Sequence, residues 1–145
     1  MPINQNIKVT ADAVVFGSGE NGERYLLLIQ RKNEPFRENW AFPGGFVEDD
    51  EDLNIAAARE LEEETGLNLP PEDFVQLGAW GKPGRDPRGR TVTVAFMIKA
   101  DMSGQEVNAA DDAKAVKWWP VADLPTLAFD HHDILEEALG LYNEQ

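Results

Sequence analysis

The sequence predicts an α/β fold built on a mixed β-sheet, and three observations carry that prediction. Apolar runs of strand length, rich in β-branched residues, recur along the chain, each bounded by Gly, Pro, Asp or Asn. Two helical segments interrupt them, one in the middle of the chain and one near its end. No internal repeat, linker or low-complexity block divides the 145 residues, so residues 1–145 are expected to form a single domain with the helices packed on the sheet.

Ile7–Phe16 (IKVTADAVVF) mixes alternation with β-branched residues, and Tyr25–Arg31 (YLLLIQR) is a second apolar run. Between them, Gly17–Glu23 contains Asn21-Gly22, a dipeptide that suits the positive-φ turn of a β-hairpin. Further strands are expected at Trp40–Phe42, Phe74–Gly81, Thr91–Ala100 (TVTVAFMIKA) and Ala115–Trp119. The first helix is expected from about Asp52 to Thr65, with Asp49 or Asp50 as N-cap and Gly66 at the left-handed stop. The second is expected from about Asp130 to Tyr142.

Composition narrows the function. Hydrophobic residues make up 42% of the chain, enough for one compact core. Lys plus Arg number 13 and Asp plus Glu 27, a formal net charge of −14. Such a surface repels polyanions, so nucleic acid is not an expected partner. The absence of Cys excludes a disulfide scaffold, a thiolate zinc site and a cysteine nucleophile. Met1–Thr10 has no apolar run of seven, and nowhere do 18 apolar residues follow one another. A soluble cytoplasmic protein with no membrane partner is the expectation.

The chemistry is concentrated in Gly44-Gly45-Phe46-Val47-Glu48, followed by Glu51 and by Arg59-Glu60-Leu61-Glu62-Glu63-Glu64-Thr65-Gly66-Leu67. Advancing about 100° per residue from Glu60, Glu64 falls at about 40° and Glu63 at about 300°, so three carboxylates share one face. Ile55, Ala58, Leu61 and Thr65 fall at about 100° to 220° and are expected to face the core, with Ala56 and Ala57 leaving the carboxylate side open. Like charges at i,i+4 destabilise a helix by about 0.2–0.5 kcal/mol per pair. Glu60 and Glu64 form such a pair, and Arg59 cannot satisfy all three carboxylates. A hard divalent cation can, because Mg²⁺ is commonly held by a few carboxylates plus substrate phosphates. A metal would also let a chain of charge −14 bind another anion. Gly44 and Gly45 allow the backbone to approach that site and to present a carbonyl to the metal. A solvated acidic face is the ordinary reading of a Glu-rich helix, but the spacing of these residues points elsewhere.

That spacing is Gly-x5-Glu-x7-Arg-Glu-aliphatic-x-Glu-Glu-x-Gly-aliphatic, filled without exception by Gly45, Glu51, Arg59, Glu60, Leu61, Glu63, Glu64, Gly66 and Leu67. On these residues the chain resembles the Nudix hydrolases. The resemblance implies an α/β/α sandwich around a mixed sheet, and Mg²⁺- or Mn²⁺-dependent hydrolysis of a nucleoside diphosphate linked to another moiety. It implies metal ligation by Glu60, Glu63 and Glu64 with Gly45 beside them, orientation of one carboxylate by Arg59, and support of the loop–helix junction or the metal shell by Glu51. The implied chemistry is in-line attack of an activated water on one phosphorus of a pyrophosphate.

The segments outside this motif select the substrate. Lys82, Arg85, Arg88 and Arg90 place four of the chain's 13 cations in nine residues, in the loop that precedes Thr91–Ala100. A positive loop in an acidic protein suits phosphate contacts, and the loop is expected to be exposed. Pro83 lies 16 residues after Leu67, and with the run Arg85-Asp86-Pro87-Arg88-Gly89-Arg90-Thr91-Val92 it is similar to the bacterial ADP-ribose pyrophosphatase branch. The segment Leu127-Ala128-Phe129-Asp130-His131-His132 is similar to one common in that branch and its regulatory relatives. Pro83, Arg85, Arg88 and Arg90 are therefore candidate substrate contacts. His131 and His132, adjacent at a helix start, are read as capping or packing residues. Trp118 and Trp119 alternate on a strand, so at least one belongs to the core; Trp40 or Trp80 could stack on an adenine. For a general base the candidates are Asp112, then Asp111 and Glu106, in an acidic segment ahead of Trp118.

The leading expectation is Mg²⁺-dependent hydrolysis of ADP-ribose to AMP and ribose 5-phosphate. The same chemistry on another nucleotide sugar or an oxidised nucleoside triphosphate is the second. The third, of a different class, is a sensor that binds ADP-ribose without turnover; such relatives often degrade the motif that is intact here. Related ADP-ribose enzymes imply a homodimer.

Overall fold

The computed structural model describes residues 3–109 and 113–143. Its strands are β1 (Lys8–Ser18), β2 (Arg24–Arg31), β3 (Trp40–Ala41), β4 (Gly44–Phe46), β5 (Val75–Trp80), β6 (Thr91–Lys99) and β7 (Ala113–Pro120). The helices are α1 (Leu53–Thr65) and α2 (His131–Asn143), with a single 3₁₀ turn at Pro71–Asp73. β1 runs parallel to β6 from Lys8 opposite Thr91 to Phe16 opposite Lys99, while the other pairings are antiparallel, so the sheet is mixed as expected. The period of two along β1 divides the core. Ala11, Ala13 and Val15 face α1 together with Leu27, whereas Val14 and Phe16 face α2 together with Leu26 and Leu28. Helices on opposite faces of one sheet make the α/β/α sandwich.

The arrangement that positions the site is a fork between β1 and β2. The hairpin joins them only over Phe16–Ser18 and Arg24–Leu26. Beyond that, the same edge of β1 pairs with β4 at Thr10–Asp12, and the facing edge of β2 pairs with β3 at Ile29 and Gln30. Trp40–Phe46 therefore crosses from one strand to the other and fills the fork, with Pro43 O accepting from the Ala13 N–H at 2.8 Å. β4 was missed from the sequence because its residues, Gly-Gly-Phe, lack the β-branched alternation of a strand.

Two features of α1 depart from expectation. The N-cap is Asp52, whose carboxylate accepts the Leu53 N–H at 2.7 Å, rather than Asp49 or Asp50. The left-handed stop at Gly66 is as expected, with φ 80° and its N–H donating to Glu62 O. The buried face is also rotated: Ile55 is 48% exposed, while Ala56 and Ala57 are fully buried with Ala58, Leu61 and Thr65. Alanines on the helix meet Ala11 and Ala13 on the sheet, so α1 settles close on that side and carries Glu60 and Glu64 inward. The carboxylate face is thus beside the core rather than opposite it. Accordingly, Ala57→Leu is expected to cost about 1–3 kcal/mol by overpacking and Ile55→Lys to stay within about 0.5 kcal/mol, as measured by urea unfolding.

Candidate active site

The fork opens into a cleft of about 400 Å³. β1 supplies Asp12, β2 supplies Arg31, β4 supplies Gly44 and Gly45, and α1 supplies Glu60 and Glu64. Arg85 and Arg88 reach it from the loop ahead of β6, and Phe129 and His131 from the start of α2.

Arg59 organises the acidic side. Its Nε and Nη2 donate to the two oxygens of Glu51 at 2.5 and 2.9 Å, and its Nη1 donates to Glu60 at 2.9 Å and Glu63 at 3.2 Å. Nη2 also donates to Phe46 O at 3.1 Å, and Glu51 accepts the Glu48 N–H. Glu51 thereby fastens the loop after β4 to α1, which is the junction role expected of it. Its carboxyl is held below the usual range chiefly by the hydrogen bonds from Arg59. β4 then lies so close to α1 that a Cβ on Gly45 would sit 2.6 Å from the Glu60 carboxyl carbon.

Glu64 is the anomaly. Burial, reinforced by the charge of Glu60, pushes its pKa up to about 9, and one of its oxygens, Oε2, is buried without a hydrogen-bond partner. Burial raises Glu60 as well, against the pull of Arg59. Among the described residues, no three acidic or imidazole side chains are gathered into a metal-binding group: Glu63 faces outward, 58% exposed on Arg59. Even so, an orphaned carboxylate oxygen beside a second carboxylate is the donor chemistry a hard divalent cation satisfies, so Glu60 and Glu64 fit one, with Glu63 a turn away.

The cationic loop is exposed, as expected, at seven of the nine residues from Lys82 to Arg90, and Arg85 and Asp86 are the two that turn inward. Arg85, with a side chain only 5% exposed, donates through Nε and Nη2 to both oxygens of Asp130 at 2.9 and 2.6 Å. Arg88 is bidentate on buried Asp86 and lies over Phe46 and Phe129. Burial opposes ionisation of Asp86 and Asp130, but the guanidinium hydrogen bonds outweigh it and hold both carboxyls low. Arg85 and Arg88 line the cleft; Pro83 and Arg90, both exposed, do not, and Arg90 caps the Gly81 carbonyl instead. Asp112 and Asp111 fall outside the described residues, and Glu106 lies away from the cleft, where its carbonyl approaches Gly66 at the end of α1.

His131 packs, as read from the sequence. It is buried, stacks on Phe42 with centroids 4.7 Å apart, and accepts the Phe42 N–H at Nδ1, while Nε2 lies 3.7 Å from Asp12. Burial holds it below its ordinary pKa. Trp40 and Trp119 meet edge to face at 5.1 Å in the core, and Trp80 packs against the same cluster. The aromatic walls of the cleft are Phe42, Phe46 and Phe129. Arg31 and Asp12 were missed. Asp12 left a signal, a lone acid in an apolar strand; it accepts from Thr93 at 2.6 Å. Arg31 left none beyond ending a strand.

A mixed sheet between two helices, with a carboxylate helix and guanidinium groups facing one cleft, defines a phosphate-handling enzyme. The family comparison is specific: the model of the NUDIX domain matches residues 7–138, and the chain belongs to that family and is a Nudix hydrolase. An ADP-ribose pyrophosphatase of Methanocaldococcus jannaschii is 45% identical over 118 residues, 81% of this chain and 68% of that protein. An ADPR responsive transcriptional repressor of Acinetobacter baylyi is 37% identical over 94% of this chain, which spans only 55% of its length. The NUDIX domain of Shewanella oneidensis NrtR, solved in complex with ADP ribose, superposes with a TM-score of 0.84 at 37% identity, covering 96% of this chain and 90% of that one. Among the described residues, no helix is long and apolar enough to cross a membrane.

The raised Glu64 gives a pH dependence. Its folded pKa lies above the ordinary 4.5, so between that value and about 9 the metal-free folded state holds a proton that the unfolded state releases, and stability falls as pH rises. In EDTA, the Tm of the wild type is expected to fall between about pH 5.5 and about pH 8.5, and Glu64→Gln to flatten that slope. Parallel slopes for the two proteins in a thermal melt would contradict the burial of this carboxyl.

Proposed function

We propose that this Nudix hydrolase splits the pyrophosphate bond of ADP-ribose, giving AMP and ribose 5-phosphate, with Mg²⁺ or Mn²⁺ as cofactor. The observation that carries the reading is the orphaned Glu64 oxygen, beside Glu60, in the cleft that Arg31 and Arg88 also line. That cleft offers a cation site and an anion wall together. Similarity to the M. jannaschii ADP-ribose pyrophosphatase and to the S. oneidensis domain solved with ADP ribose supports the ADP-ribose assignment.

The residues divide the work. Glu60, Glu63 and Glu64, with the Gly45 backbone beside them, would hold the metal, which when bound supplies Lewis acidity at the diphosphate. Arg59 fixes the carboxylates against one another. Arg88 and Arg31 bind diphosphate oxygens beside the Phe walls. Water adds to one phosphorus as the bridging P–O bond breaks, and the leaving phosphate takes the bridging oxygen. Asp112 is the proposed further carboxylate for removing the water's proton. We place the enzyme in the cytoplasm as a homodimer with a small-molecule substrate and no nucleic-acid partner; light scattering tests the dimer. The alternative, a sensor without turnover, draws on the A. baylyi repressor, and turnover decides between them.

ADP-ribose with Mg²⁺ is expected to yield AMP without inorganic pyrophosphate, EDTA to abolish the reaction, and Glu63→Gln or Glu64→Gln to remove most of kcat with the fold intact. Release of pyrophosphate from a nucleoside triphosphate, with ADP-ribose inert, would assign the second substrate class.

The two cleft arginines are expected to separate. Arg88→Ala removes a charge-assisted hydrogen bond worth about 1.5–3 kcal/mol, or roughly 10- to 150-fold in kcat/KM, and also lowers Tm, because it leaves buried Asp86 without its guanidinium partner. Arg85→Ala leaves partly buried Asp130 unpaired and is expected to cost about 1–3 kcal/mol of stability, with a smaller loss of kcat/KM than Arg88→Ala because Arg85 is committed to Asp130. Equal losses of kcat/KM in the two folded variants would refute the distinction.

A further inference from the structure

Phe129, Asp130 and His131 are consecutive, and each is sent to a different wall of the cleft. Asp130 takes Arg85 and His131 takes Phe42 and Asp12. Phe129 goes to two more of the cleft's cations: the Arg31 guanidinium carbon lies 5.0 Å from its ring centroid and that of Arg88 5.6 Å. The same ring meets Phe36, from the β2–β3 loop, at 4.8 Å. To reach this position its backbone takes φ 54°, a left-handed conformation that a bulky residue enters only when its surroundings impose it. The constraint is visible on both sides, since Ala128 is fully buried and His131 nearly so.

Two guanidinium groups sharing a partly buried wall repel each other. Arg31 is tied through Nε to Pro35 O at 2.7 Å, and Arg88 to Asp86, so each is anchored from behind while both rest on the one ring. The negative face of an aromatic ring attracts a cation within about 6 Å, more strongly where water is excluded. The net effect is two guanidinium groups that share one ring and both line the cleft, an arrangement completed by an anion that bridges them.

We propose that Phe129 is a specificity-determining positioning residue, whose ring holds Arg31 and Arg88 as a paired clamp for a phosphate or diphosphate group entering the cleft. The inference rests on the proposed reading of the cleft as a diphosphate site. It assigns a role to the strained residue ahead of α2, and makes the clamp depend on a side chain that bears no charge.

The test compares Phe129→Leu, which keeps apolar bulk without the ring face, with Phe129→Tyr, which keeps that face. KM for ADP-ribose is expected to rise about tenfold in the Leu variant, the loss falling in KM rather than kcat, and to return toward wild type in the Tyr variant. Calorimetric binding of inorganic pyrophosphate in the presence of Mg²⁺ is expected to weaken by the same factor, while Mg²⁺ alone titrates alike in all three proteins. Unchanged pyrophosphate affinity in Phe129→Leu, equal damage in Phe129→Tyr, or a loss confined to kcat would overturn the proposal. If the Leu variant does not fold, Phe129→Met carries the same comparison. Failure of the wild type to hydrolyse ADP-ribose would sink the functional reading alone, because the pyrophosphate titrations still decide whether the ring supports the clamp.

Discussion

A strand edge bonds one neighbour at a time, and the cleft follows from how β1 spends its edges. β6 occupies one of them along its whole length in parallel register. On the other, β2 takes only Phe16–Ser18 before the two strands part. The polar groups so released at the near end of β1 must be paired, and β4 pairs them by entering the fork. Because β4 is Gly44–Phe46, the glycine backbone lies where α1 can close upon it, and a side chain at Gly44 would run into Asp12. The opening of the hairpin therefore sets the distance between the sheet and the carboxylate helix.

Arg59 then resolves the conflict created by that distance. Bringing Glu60 and Glu64 against a packed backbone penalises their ionised forms, and the two repel one another. Arg59 cannot neutralise both, because most of its donors go to Glu51, Glu60, Glu63 and the Phe46 carbonyl. Glu64 is left with a proton and an unpaired oxygen. Stability is given up at the point where the proposed chemistry needs a ligand, as expected when a site is kept ready for an ion that arrives with its substrate.

Six of the seven strands among the described residues, both helices and the acidic motif were legible because each rests on local pattern: β-branched runs, a helical stripe, a left-handed stop at Gly66. What was not legible depends on tertiary placement. Ile55 and Ala57 differ in hydrophobicity in the direction opposite to their burial, because the close approach of α1 to the sheet rewards a small side chain over a large one. Arg85 and Arg88 look alike in the sequence and each is bidentate on a carboxylate, yet Arg85 is tied across the fold to Asp130 while Arg88 is tied to neighbouring Asp86 and lies over Phe46 and Phe129, contacts that are distant in the chain. Arg31 was hidden for the same reason, since its significance is its neighbours rather than its strand.

The start of α2 shows how one short segment can coordinate elements that never meet. The main chain turns left-handed at Phe129, so the next two side chains leave in different directions, Asp130 to the loop ahead of β6 and His131 to β1 and the fork segment. Neutral His131 suits this place, because a charged imidazole would be both desolvated and close to Arg85. Its accepted hydrogen bond at Nδ1 leaves the ring proton on Nε2, facing Asp12, and Asp12 is in turn held by Thr93. Loop, strand and helix are thus fixed relative to one another by side chains that bear on the cleft's walls. A substrate that contacts two of those walls is met by a surface already assembled, so little ordering entropy is lost when it binds.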